Sequence, residues 1–219
     1  MSKAFFSLIL FFCALNPSFA ENPEKESKEV EIFISNLGNK IIEVASDEEL
    51  TINQRRDKLV NLVDEAVDTN WISKFVLGKN YRVASDDQKM EFKLLYRDFM
   101  INSYGPQFTG YRGEKFLITS VTHDNNYYVA ECLFLPEGDA PAIKIDFRVR
   151  KNKSTQNDQP KFLVFDIVAE GVSLIATQRS EFGSAISRDG MDKFLKDLKE
   201  RIIQIKKDNN NPAAKAESK

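Results

Sequence analysis

A chain of 219 residues with 42% hydrophobic side chains, 17 Phe, 9 Gly and 7 Pro has a globular make-up, which excludes collagen, a coiled-coil rod and a wholly disordered polymer. One His and two Cys exclude a multi-histidine metal centre, a structural zinc cluster and a disulfide framework. The near-balance of 31 Lys+Arg against 33 Asp+Glu gives no net basic field of the kind that holds nucleic acid.

The first twenty residues read as an export signal. Lys3 precedes an apolar run from Ala4 to Leu15, Asn16-Pro17 breaks it, and Ser18 and Ala20 put small side chains at the minus-three and minus-one positions, predicting cleavage after Ala20. The run is short of the ~20 apolar residues a membrane span needs. Bulky Phe12 in front of Cys13 argues against lipid attachment there. Removing residues 1–20 takes away Lys3, Cys13 and five of the Phe, leaving 30 basic and 33 acidic side chains. Cys132 is then the sole thiol, and its strand position between Glu131 and Leu133 predicts a buried, inert side chain.

Residues 21–28 and 206–219 are polar and poor in aromatics, so they are expected as mobile ends flanking a single domain over 21–205, or two subdomains sharing one core. Val30, Ile34, Leu37, Ile41 and Val44 recur at helical spacing and predict a helix to Ala45. A second helix follows from Ile52, capped by Thr51, with Leu59, Leu62, Val63, Ala66 and Val67 inward. A short third runs from Trp71 to Leu77 and ends at Gly78. Ser85 with Gln88 forms a capping box that opens a fourth, through Leu95, Phe99 and Met100 to Tyr104-Gly105.

Strand patterns then take over. Lys115–Val121 and Tyr127–Leu135 flank Asp124-Asn125-Asn126 and predict a hairpin. In Ala142–Arg150, Ile143, Ile145, Phe147 and Val149 alternate with Lys144, Asp146, Arg148 and Arg150, the mark of a strand with one wet face. Lys161–Val168 is apolar on both sides except for Asp166. Two helices close the chain, near Leu174–Ile186 and Met191–Ile205. The order predicts an α+β fold, a curved antiparallel sheet of about four strands covered by several helices and enclosing an apolar pocket.

The chemistry of bond-breaking has few candidates. His123 beside the Asp124 turn reads as a solvated loop residue with no nucleophile or orienting carboxylate nearby in sequence. Glu170-Gly171-Val172-Ser173 lacks the second glycine of a nucleophile elbow. Asp166 inside an apolar strand needs a partner, and Arg179 in the next element is the expected one, forming a structural ion pair from strand to helix. No catalytic, cofactor or metal residue is assigned. An exported enzyme acting on a small hydrophobic substrate, and an adaptor for protein partners, stay open on the residues alone.

Three segments together resemble the MlaC family of periplasmic phospholipid-binding transport proteins, also known as toluene-tolerance or organic-solvent-tolerance proteins. They are Phe75-Val76-Leu77-Gly78-Lys79-Asn80-Tyr81-Arg82 with Ala84-Ser85 and Gln88; the aromatic series Phe92, Tyr96, Phe99, Tyr104, Phe108 and Tyr111; and Asp166 to Leu174 followed by Arg179-Ser180-Glu181-Phe182. Phe162 stands where the family usually has Trp, and Gln178 where an aromatic residue is common. The resemblance spans about Ile32 to Leu198 and implies a soluble carrier in the periplasm of a Gram-negative bacterium, expected as a monomer. Its implied partners are a phospholipid ligand, an outer-membrane lipoprotein–porin complex and an inner-membrane ABC transporter with an MCE-domain subunit.

The physics of such a carrier fixes what to look for. At about 0.8 kcal/mol per CH₂, two acyl tails carry on the order of 20 kcal/mol of transfer free energy, which only an apolar enclosure offsets. The candidate wall residues are Phe75, Leu95, Phe99, Ile145, Phe147, Val149, Phe165, Ile167 and Val172. Lys79, Arg82 and Arg148 are candidates for steering anionic lipids or partner surfaces.

Overall fold

Capping chemistry sets the helical first half of the chain. In the computed structural model, which describes residues 23–105, 115–136, 141–153 and 160–210, four helices come first: α1 (Pro23–Ser46), α2 (Ile52–Ala66), α3 (Thr69–Leu77) and, after a 3₁₀ turn over Gly78–Arg82, α4 (Asp86–Tyr104). Thr51 and Ser85 accept the backbone N–H of Gln54 and Gln88, whose side chains in turn accept the cap N–H groups. Each such box is worth roughly 1 kcal/mol. Asp68 caps α3 by accepting from Trp71 N–H, and Gly78, at φ 55°, stops it. The expected signal peptide, Phe108 and Tyr111 lie outside the described residues.

The described parts of both polar ends, 23–28 and 206–210, are helical where mobile ends were expected. Helix α1 starts at Pro23, so residues 23–28 are its first turns. Pro suits the first helical position, and Glu24 and Glu26 complement the dipole. Long-range pairs then hold these turns down: Glu26 with Lys151 at 2.6 Å, and Glu29 with Lys161. At the other end α6 (Met191–Asn210) runs past Ile205, because Lys206 pairs with Asp98 and Asn209 donates to the carbonyl of Asn102.

The sheet is antiparallel throughout, in the order β1 (Lys115–Asp124), β2 (Tyr127–Leu135), β3 (Ile143–Lys151), β4 (Phe162–Ala169) and β5 (Val172–Ser173). The fifth strand was not expected. It is two residues long and exists because Glu170 and Gly171, both at positive φ, reverse the chain in a two-residue turn that lays Val172 beside Ala169. Helix α5 (Leu174–Asp189) follows at once.

Two bulges set which side chains meet. One lies in β1 between Ile118 and Ser120. The other lies in β4, where Arg148 faces Asp166 while the next residue, Val149, faces Val164, leaving Phe165 unpaired. The extra residue flips the alternation downstream. Phe162, Val164 and Ile167 therefore pack on the α1 side, and Phe165 packs with the other helices.

Two apolar cores result. A helical core joins Ile72, Val76, Phe92, Tyr96, Phe99, Phe182 and Phe194 from α3 to α6 with Phe165 from the sheet. A second core lies between α1 and the opposite sheet face and joins Val30 and Ile34 to Tyr128, Ala130, Cys132, Val149, Phe162 and Val164. Val67, after α2, touches both, and its bridge to Val164 pairs the otherwise free edge of β4.

Candidate apolar site

The α1 side of the sheet is an apolar surface that loses its cover along its length. Alternation along β2 and β3 puts Tyr128, Ala130, Cys132 and Phe134 on one face with Val149, Phe147, Ile145 and Ile143 opposite them. Val149 is fully buried, Phe147 and Ile145 are half-buried, and Ile143 is 38% exposed. Along the covering helix Val30 and Ile34 are buried, Leu37, Ile41 and Ile42 are half-buried, and Ala45 in the last turn is buried again. Helix and sheet thus form a wedge of burial, filled by its own side chains at the Val149 end and partly exposed at the Ile143 end.

Ionic and aromatic contacts close the narrow end. Tyr128 donates its hydroxyl hydrogen to Glu26, which also pairs with Lys151, and Lys161 reaches both Glu29 and the ring of Phe162. Burial works to raise the Glu26 carboxyl, but its bonds to Lys151 and Tyr128 outweigh that and hold it below the ordinary carboxylate value. Phe33 and Tyr128 pack at 6.2 and 6.1 Å from Phe162. Toward the wide end Phe116 meets Phe147 edge-on at 5.9 Å. Here α1 comes close to β1, since a Cβ on Gly38 would stand 2.8 Å from the Phe116 ring. Cys132, in the floor, is 1% exposed, and burial pushes its thiol up to about 12, so it stays protonated and unreactive at neutral pH.

The nine expected wall residues divide between the two cores. Val149, Phe147 and Ile167 belong to the wedge, and Ile145 continues their row toward the open end. Phe75, Leu95, Phe99 and Phe165 pack instead in or against the helical core. Val172 is 62% exposed on β5 and lines no buried surface. The residues that sequence reasoning left out are those of the roof, Val30, Phe33, Ile34, Leu37 and Gly38, together with Ile118 of β1, while Phe116, read only as a strand residue for a cavity wall or a core, packs beside them. Their signal was present in the first helix's apolar stripe, interrupted by one glycine where the sheet approaches.

The expected Asp166–Arg179 pair is not formed. Asp166, 2% exposed, accepts from Arg148 at 3.0 Å, from Ser173 Oγ at 2.7 Å and from the backbone N–H of Ile175 at 3.3 Å. The antiparallel register decides this by placing Arg148 directly across the strand pair. Arg179 lies over the ring of Phe75, its guanidinium carbon 4.7 Å from the centroid. Asp166 still ties strand to helix, because Ser173 and Ile175 begin α5. His123, expected in a loop, ends β1 with its ring 4.7 Å from that of Tyr128.

Two clefts also mark the surface. One of about 560 Å³ lies between the first turns of α1 and Val121, and one of about 380 Å³ between the end of α3 and α5. Neither is lined by any of the nine expected residues. No helix among the described residues is long and apolar enough to cross a membrane.

Comparison with known proteins bears on this arrangement. A family model described as MlaC protein matches residues 35–200. A protein of Haemophilus influenzae, the intermembrane phospholipid transport system binding protein MlaC, is 22% identical over 140 residues, which are 63% of this chain and 64% of the relative. The chain therefore matches just under two thirds of that relative's length. Among solved structures, the phospholipid-binding protein from Ralstonia solanacearum, determined in complex with a phospholipid, superposes with a TM-score of 0.68 at 18% identity, covering 80% of this chain and 97% of the other. That likeness is one of fold. With its α+β architecture and a family match running from α1 into α6, the chain belongs to the MlaC protein family.

Proposed function

We propose that this protein is a periplasmic phospholipid carrier that shelters acyl chains between α1 and the sheet. The observation that carries the reading is the graded apolar face, fully buried at Val149 and more than a third exposed at Ile143, under a helix buried at Val30 and Ile34 and half-buried at Leu37, Ile41 and Ile42. Hydrocarbon entering at the wide end meets Ile145, Phe147, Phe116 and Leu37 before it reaches the packed end. Each CH₂ that replaces water there gains about 0.8 kcal/mol, so the wedge opens in proportion to the tail it receives. The head group stays at the mouth in water, which leaves the wall free of polar requirements.

The relatives support this reading through what their own names say they bind and transport, and the export signal in residues 1–20 supports a periplasmic site of action. In that setting the protein acts as a monomer, exchanging a diacyl phospholipid with an inner-membrane MCE-domain ABC transporter and an outer-membrane lipoprotein–porin complex. The lone thiol in the floor of the wedge is held protonated, which supports binding over covalent chemistry at that residue.

Purification without detergent followed by organic extraction tests the reading. One diacyl phospholipid per folded protein is the expected yield; a clean extract from protein with a cooperative melt would reject it.

A further inference from the structure

The cleft between α3 and α5 has a character the apolar wedge lacks. Its volume is about 380 Å³, and its nine lining residues include Lys79, Arg179, Ser180, Ser184 and Ser187 but no Asp or Glu. In a chain with 33 acidic and 31 basic side chains, a wall with two cations and no acid departs from the average surface. Other surface cations have an acid within reach, as in Arg97–Asp64, Lys193–Asp197 and Arg188–Asp189. Neither Lys79 nor Arg179 has an ion pair or hydrogen bond among the described residues.

The geometry holds Arg179 ready. Its guanidinium stacks on Phe75, and its Nε, Cζ and Nη2 atoms lie 3.0 to 3.1 Å from where a Cβ on Gly78 would sit. Glycine alone leaves that space, so the planar fork rests against the backbone with its donors unspent. Contact with the Phe75 ring and with the Gly78 backbone restrains the fork, which lowers the entropy lost when two of its N–H groups grip one oxyanion. Ser180, Ser184 and Ser187 recur at four- and three-residue spacing on one face of α5 and set hydroxyls along the same wall. The negative end of the α3 dipole, roughly half a charge, also abuts the cleft, and the two cations exceed it.

We propose that this cleft binds a phosphate-type oxyanion through Arg179 and Lys79, separately from the apolar wedge. The shared chemistry is a tetrahedral anion with at least two accepting oxygens, supplied either as free phosphate or as the phosphodiester of a lipid head group.

Amide chemical shifts of the ¹⁵N-labelled protein test it, with inorganic phosphate in one titration and dihexanoyl phosphatidylglycerol in another. Saturable shifts at Gly78, Lys79, Ser180 and Ser184 are expected with at least one ligand. Shifts with inorganic phosphate assign a free oxyanion, and shifts with the short lipid alone assign a head group. Gly183 also lines the cleft, and a Cβ there would have nothing within 4 Å, so Gly183→Asp adds a carboxylate without a clash. It is expected to weaken binding at least tenfold, and Lys79→Gln several-fold, with both melts unchanged. No saturable shift with either ligand, or equal binding by Gly183→Asp, overturns the proposal. The readout does not pass through the wedge, so loss of phospholipid from the purified protein would leave it intact and would reject the carrier reading alone.

Discussion

The helical core and the wedge under α1 use the same kinds of side chain and end in opposite ways. In the helical core Phe92, Tyr96, Phe99, Phe182 and Phe194 close on one another, with ring centroids 5.2 to 6.3 Å apart. The buried amide of Gln178 is answered too, accepting from the hydroxyl of Tyr96 and donating toward that of Tyr104. Burial pushes both tyrosine hydroxyls above their ordinary pKa, so they stay protonated at neutral pH. The wedge lacks such saturation, since the rings of Phe116 and Phe147 meet each other and are otherwise half-uncovered. A core whose surfaces are all spent on itself gives stability; one with apolar surface left over has something to offer a ligand.

Truncation should separate the two most widely. Phe182→Ala removes the ring at the centre of the helical core and is expected to cost about 4 kcal/mol, whereas half-buried Phe147→Ala should cost about 1 to 2 kcal/mol. Urea melts of both variants read the difference, and equal losses would mean that the wedge is as tightly packed as the helices.

A covalent lock asks whether the wedge must open. With Gly38 replaced by Cys and Phe116 replaced by Cys, the new sulfurs start from a Cβ site only 3.7 Å from the present Phe116 Cγ, close enough to bridge. The oxidised form should carry at least tenfold less phospholipid than the wild type and recover it on reduction. Unchanged loading in the locked form would move the tails elsewhere.

A smaller, local change sharpens the position of the wall. Ile145→Trp fills the open half of the row and should lower lipid occupancy several-fold while the melt stays cooperative. Full occupancy would remove that strand face from the ligand's path.

The smallest expected effect concerns the closed end. Because the Glu26 carboxyl titrates below its ordinary value of 4.5, its ties to Lys151 and Tyr128 stabilise the fold fully above that pH and fade as pH falls through the lowered value. Glu26→Gln should therefore flatten stability against pH in the acid range below about 4.5 and leave the slope near neutrality as it was. Parallel acid titrations of the two proteins at constant salt read this directly.

Sequence carried some of this architecture and withheld the rest for identifiable reasons. The second, third and fourth helices were legible because Thr51, Ser85 and Gly78 act through bonds three or four residues away, whereas the Asp68 cap that starts α3 at Thr69 was missed. The first turns of α1 were not, since what holds Glu26 and Glu29 in place is Lys151 and Lys161, more than a hundred residues later. The division of the nine apolar candidates was hidden for a different reason. Leu95 and Phe99 on a helix and Ile145 and Phe147 on a strand show identical periodicity whether they face a ligand or another ring. Asp166 was recognised as needing a cation, but choosing Arg148 over Arg179 requires the register of β3 against β4, which local pattern does not contain.

The bulge at Phe165 also settles where charge is permitted. Had β4 kept strict alternation from Phe162 and Val164, Asp166 would project beneath α1 and Ile167 would turn away from it. One inserted residue exchanges them, delivering the carboxylate to Arg148 and the start of α5 and the isoleucine to the hydrocarbon side. The bulge works as an electrical insulator between the two faces of a single strand: it keeps the medium under α1 at low dielectric, the condition under which a bare methylene chain prefers protein to water.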